Sequence, residues 1–436
     1  MSVARLLVAS LILCTVLVAL VRPLWLLVVL IALSPFHSYF RSLFPDAITI
    51  IVWRDVVSWL IVAGVAARLA IRRERVLSHP LNALVLAYIG WGLFQIINTG
   101  DLVTGIYGFG TVIRYAPLFF ATLALVQSER DVEVLLKPMI LAGSVIAIFA
   151  IVELLFPDSS IFALVTREQG SRPILGFRTE RLSSIFGQGP NGLAIYLAFI
   201  ACLLVPQGFG PKGSGVPGRL YRWLFWLYVI VIALTTSRLA WLGLGAALFL
   251  FVVLSHRSAG SKRMIPAWIA VSAVALGVYA IFLPGQAGQS FIQMIPSLLA
   301  MRGWLLPTNV VSTLIGTGYY FDGTKEFLPL ALQPRTLASG AVDILYLHSI
   351  YIIGLVGLLL ELAILGKFLC TAVHGYVTHA QAELAWLPLA LAMAFVVMAV
   401  ATFHSTPWDY AGLDVNYYVL GAIAVWYQLG LRQSRR

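Results

Sequence analysis

Thr235, Thr236, Ser237 and Arg238 interrupt two apolar runs in "IALTTSRLAWLGLG". A guanidinium stays charged in any protein environment and is costly in hydrocarbon, so Arg238 needs a reason to stand there. Its planar fork donates two parallel hydrogen bonds to a phosphate. A helix starting at residue 239 would add first-turn amides that favour an anion. The hydroxyls of Ser237 and the threonines add donors. The cluster reads as a compact oxyanion site. Its plain alternative is a snorkelling arginine that anchors a helix end.

Other constellations carry related chemistry. In "RLSSIFGQGPNGLAIYLA", Pro190 and Asn191 open a helix, the flanking glycines allow close backbone approach, and Arg181 lies just upstream. In "SLLAMRGWLLPTNVVSTLIGTGYYF", Arg302 and Trp304 sit in a segment expected to form an amphipathic helix at the membrane interface, with Arg302 pairing with an acid or a phosphate. In "SGAVDILYLHSIYIIGLVGLLLEL", Asp343 and His348 fall at the start of a span, and either is placed to take a proton from a hydroxyl. The competing roles are a helix N-cap for Asp343 and a packing histidine for His348. Arg114 lies mid-span in "GFGTVIRYAPLFF", so it must pair or face a cavity, within reach of an anionic head group. Arg54 and Asp55 are adjacent on a helix and cannot face each other; each is expected to pair with a different neighbour in a structural role. "FHSTPWDYAGLD" is a loop whose His404 and Asp409 border the same region.

The elements that must position these residues are set by composition. The chain has 436 residues, is 60% hydrophobic and 11% charged, and has a mean hydropathy of +0.93. Apolar runs of about 20 residues recur from end to end, the pattern of an all-α, polytopic integral membrane protein. Spans are expected near 5–21, 24–36, 48–70, 82–98, 105–126, 138–156, 189–205, 222–236, 239–254, 265–283, 343–366, 385–403 and 415–430. The first two are expected as half-length helices broken at Arg22–Pro23. Residues 1–21 look like a retained first helix because no small-residue cleavage site precedes a soluble domain. The whole chain, 1–436, reads as one transmembrane domain, with a large extracytoplasmic loop over 284–342 between the fourth-last and third-last helices.

The net charge of +11 lies largely in short loops, where it sets orientation and is no sign of nucleic-acid binding. The basic segments 68–75, 211–222, 255–263 and 432–436 are all cytoplasmic in one alternating arrangement, giving about 12 (12–13) spans. That arrangement leaves Arg167, Arg172, Arg178, Arg181, Arg238, Arg302, Lys325 and Arg335 outside, against the usual bias. An anionic partner explains them; a nearly neutral solvated face with Asp158, Glu168 and Glu180 is the alternative for the first loop. Cys14, Cys202 and Cys370 match no metal-ligand spacing and no disulfide framework, and read as small apolar packing residues.

Taken in order, Arg181 with "GQGPNGLA", "TTSRLAWLGL", "MRGWLLPTNVVSTLIGTGYYF" and "VDILYLHSIYIIGLVGLL" resemble the O-antigen ligase and O-antigen polymerase superfamily of bacterial surface-polysaccharide assembly. The resemblance runs over roughly residues 40–430. It implies a metal-independent glycosyltransferase of the bacterial inner membrane with its active site facing the periplasm. It further implies an undecaprenyl-pyrophosphate-linked glycan donor, a glycan or lipid-linked acceptor, and a possible chain-length regulator as partner. The ligases carry a histidine where this chain has Asp343, with His348 displaced inward; an acid there looks more like the polymerases. Polymerisation is therefore the expected reaction and ligation to a lipid A core or protein the alternative. Together with the chemistry of the residues, this leads us to expect Asp343, His348 and Arg238 in catalysis and Arg181, Arg238, Arg114, Arg302 and Asn191 in substrate binding. A transporter is the competing class. Against it, the sequence shows no inverted repeat and no pair of broken helices in two halves.

Overall fold

The computed structural model describes residues 17–44, 48–73, 78–156, 172–174, 177–179, 182, 184–187, 189–210, 218–235, 237–255, 310–316, 345–378, 384–402, 410 and 412–433. Helices make up almost all of them: α1 (Pro23–Leu33), α2 (His37–Leu43), α3 (Ile48–Arg72), α4 (Pro80–Asn98), α5 (Leu102–Val112), α6 (Ala116–Leu125), α7 (Glu129–Leu155), α8 (Gly189–Phe209), α9 (Gly218–Thr235), α10 (Arg238–Ser255), α11 (Val310–Ile315), α12 (Leu345–Thr378), α13 (Trp386–Ala401) and α14 (Leu413–Gln433). A two-stranded antiparallel hairpin, β1 (Arg172–Ile174) with β2 (Phe177–Thr179), lies before α8.

Local chemistry explains many of the boundaries. Pro80 opens α4, whose N-cap His79 accepts a hydrogen bond from the Leu81 amide at 3.2 Å. Ser128 and Asp131 form a reciprocal capping box on α7. Six described helical stretches are long and apolar enough to cross a membrane: Pro23–Leu43, α4, α7, α8, α9 and Ile352–Thr378, with α6, Leu239–Ser255 and α13 as shorter apolar helices. Large exposed apolar side chains such as Leu86, Ile97, Phe249 and Leu359 cover the outside, as lipid contact requires. The chain is a helical, membrane-embedded protein.

The core centres on α8, nearly every residue of which is buried; α9, α10 and α13 pack around it. Gly208 on α8 meets Tyr221 and Arg222 on α9, so these two helices run antiparallel and the end of α9 returns to the start of α8.

Three expected spans differ from the structure. The segment over 24–36 is no half-length helix, because a 3-10 turn at Ser34–Phe36 carries α1 straight into α2 and makes one 21-residue stretch. The expected span 105–126 is broken at Ile113–Tyr115 into α5 and α6, and Arg114 stands in the break. The span expected over 343–366 is broken at Gly354 (φ 71°, ψ 178°), and the membrane-length stretch runs from Ile352 to Thr378. The loop expected over 284–342 lies outside the described residues except for α11 and Gly316, and the span over 265–283 lies outside them entirely.

Candidate functional site

One end of the bundle gathers the polar groups. There Arg54 on α3 donates to Asp414, in the first turn of α14, at 3.3 Å. Arg114 donates to Asp55 at 3.2 Å and lies 3.8 Å from Asp414. The Tyr115 hydroxyl donates to Asp55 at 3.3 Å. Both guanidinium carbons lie over the Tyr115 ring, at 5.6 Å for Arg54 and 4.8 Å for Arg114. The amides of Gly412 and Val415 add hydrogen bonds to Asp414 Oδ1. As expected, Arg54 and Asp55 pair with different neighbours. The partner of Arg54 is an acid that the sequence did not single out, because Asp414 reads as the end of a loop in "DYAGLD".

The mouth of α8 opens at the same end. Asn191 stands half-buried in its first turn, and a Cβ on the following Gly192 would lie 3.0 Å from the ring of Tyr410, four residues before Asp414. The segment entering α8 is held by Glu153 of α7, which accepts from the Ser184 amide at 2.6 Å, while the Ser184 hydroxyl donates to the Ile146 carbonyl at 2.8 Å. Because α8 and α9 are antiparallel, the turn carrying Ser237 and Arg238 joins them there. The Thr235 hydroxyl donates to the Ile232 carbonyl at 2.7 Å and accepts from the Ser237 amide at 3.3 Å. Arg238 is the first residue of α10. Ser237, in the cap position, is 1% exposed, and its hydroxyl has no partner among the described residues. The Trp241 indole N–H, one turn along the same face, likewise has none among them. The His348 backbone lies in the first turns of α12; Arg181, Arg302, Asp343, His404 and Asp409 lie outside the described residues.

A second arrangement at this end was not legible in advance. At Gly354 the chain reverses: the Ser349 hydroxyl donates to Glu361 at 2.7 Å, although twelve residues of straight helix would separate them by roughly 18 Å. The break and the end of α11, which packs on it, leave carbonyls without helical partners, and α4 satisfies them with one polar stripe. Trp91 Nε1 donates to the Ile353 carbonyl at 2.7 Å, Gln95 Nε2 to that of Ile315 at 2.6 Å, and Asn98 Nδ2 to that of Gly316 at 3.3 Å. One turn deeper, the Tyr88 hydroxyl donates to Glu361 at 2.8 Å. Non-helical backbone at membrane depth persists only where protein supplies such donors. α11 is thus more than an interfacial helix: Gly316, at its end, packs backbone to backbone on Gly354. The helical spacing of Tyr88, Trp91, Gln95 and Asn98 was the available signal, masked by the apolar residues between them.

Two spans are therefore broken near the same end, the α5–α6 junction and α12. No protein-family model matches the chain, and no curated protein shows a significant match.

Proposed function

We propose that this protein is a membrane glycosyltransferase that polymerises undecaprenyl-pyrophosphate-linked repeat units, with ligation to a lipid A core or protein as the alternative reaction. The observation that carries the reading is the start of α10. A buried serine in the cap position normally satisfies a first-turn amide. Here the Ser237 hydroxyl has no partner among the described residues, and Arg238 follows it. A buried hydroxyl and an indole N–H beside a helix start, with an arginine at its first position, are donor types suited to a pyrophosphate.

In this reading Arg238 and Arg181 hold the donor's pyrophosphate, with Arg302 assisting. These groups stabilise charge growing on the departing pyrophosphate. An acceptor sugar hydroxyl attacks the anomeric carbon from the opposite side, inverting it, and Asp343 or His348 takes the hydroxyl proton. Arg114 is already engaged by Asp55 and Asp414, so its part is to hold the helices that frame the site.

The test is Arg238→Ala and Arg238→Lys in purified protein given lipid-linked repeat units. A ladder of products from the wild type supports polymerase and a single transfer supports ligase. Unchanged product formation in both variants removes Arg238 from the mechanism. The second reading is a transporter, a class in which discontinuous helices line the substrate site. Solute uptake by proteoliposomes, with no glycan product, would establish it.

A further inference from the structure

Deeper in the bundle, a small cavity with room for about one water lies between the two broken spans. Its lining includes Glu361, Asp414, Tyr88, Tyr115, Tyr417 and Tyr418. Glu361 is 7% exposed and Asp414 is 3% exposed, and they come from different helices, α12 and α14. Two carboxyl groups lining one narrow buried space disfavour double ionisation, and a proton between them relieves the repulsion. Their settings differ. Asp414 is paired with Arg54, reached by Arg114, and hydrogen-bonded by two backbone amides. Glu361 is held by two hydroxyls, of Tyr88 and Ser349, which also serve as donors or acceptors when a proton moves.

We infer that this cavity is an intramembrane proton site, with Glu361 as the exchanging acid and Asp414 as its charged counterpart. Glu361 gives its proton to water in the cavity, leaving a carboxylate and a hydronium ion, and regains it by the reverse step. The titratable neighbours are Tyr88 from α4, Tyr115 from the α5–α6 break, and Asp414, Tyr417 and Tyr418 from α14. α11 and α13 pack on α12 but contain no ionisable residue. The site does not depend on the glycosyl-transfer reading: it would serve either to carry away the proton of an acceptor hydroxyl or to couple proton movement to transport.

The probe is N,N′-dicyclohexylcarbodiimide, a lipid-soluble reagent that adds a protonated carboxyl across its C=N bond and leaves a stable acylurea. The full-length protein in lipid nanodiscs is treated across a pH series and mapped by peptide mass spectrometry. The expected result is a label on Glu361 whose rate falls about tenfold per pH unit above a midpoint. The label is lost in Glu361→Gln, and Tyr88→Phe shifts the midpoint while the protein keeps its elution profile. The inference is overturned if Glu361 in the folded protein stays unlabelled at every pH while the denatured chain is labelled. Labelling that does not change with pH also overturns it. Protection by sodium ion at constant pH would instead identify a metal-cation site. Failure of the carbodiimide test leaves glycan-product assays of Arg238 variants unaffected, so the two readings fall separately.

Discussion

Gly354→Ala is the sharpest perturbation available. Gly354 sits at φ 71°, ψ 178°, a region essentially reserved for glycine. A Cβ there would lie 2.3 Å from the Leu314 carbonyl oxygen, 2.4 Å from the Ile315 carbonyl carbon and 2.5 Å from the Gly316 amide nitrogen. All three are backbone atoms, so no side chain can swing away. Forcing an alanine into this conformation costs about 1–3 kcal/mol. Parting the two chains adds about 1–3 kcal/mol of overpacking. The bonds from Trp91 to Ile353 and from Gln95 to Ile315 lengthen at the same time. A combined loss of about 2–6 kcal/mol is a large share of a typical folding free energy of ~5–15 kcal/mol. The control is Gly366→Ala on the same helix, where nothing lies within 4 Å of the new Cβ. Alanine there is expected to be neutral or to stabilise by about 0.5–1 kcal/mol. The assay is unfolding of purified protein in mixed detergent micelles followed by far-UV dichroism. The reasoning is refuted if Gly354→Ala and Gly366→Ala unfold at the same midpoint.

The other expectations concern polar groups. Gln95→Leu removes the donor to the Ile315 carbonyl and should cost about 1–3 kcal/mol in the same unfolding assay, since the acceptor stays buried. An unchanged midpoint would mean that the α4 stripe does not support the break. Arg54→Met leaves Asp414 partly unpaired and should cost about 3–5 kcal/mol, whereas Arg54→Met with Asp414→Leu should recover much of that loss. Strict additivity in this double-mutant cycle would count against the ion pair as a coupled unit.

Much of the architecture was legible because apolar runs in a membrane chain admit few structures. Each run must satisfy its own backbone, so it becomes a helix, and the ends of α3, α4, α8, α9, α10 and α13 fall within a few residues of the hydropathy boundaries. Adjacency on a helix also decided that Arg54 and Asp55 look in different directions. Which groups they meet was not decided locally. Asp414 lies 360 positions from Arg54 and reaches it because α3 and α14 both pack against α6. The break at Gly354 is the clearest case of tertiary control. "IIGLVGLL" contains two glycines in an apolar run, and either suits close helix packing. Gly354 leaves the helix because Gly316 occupies the space where its Cβ would be and α4 supplies donors for the freed carbonyls. Sequence alone thus determined that this is a multi-helix membrane protein and that arginines and hydroxyls mark the helix starts. Only the packed structure decided which spans break and which buried acids share a cavity, because both depend on contacts between segments far apart in the chain.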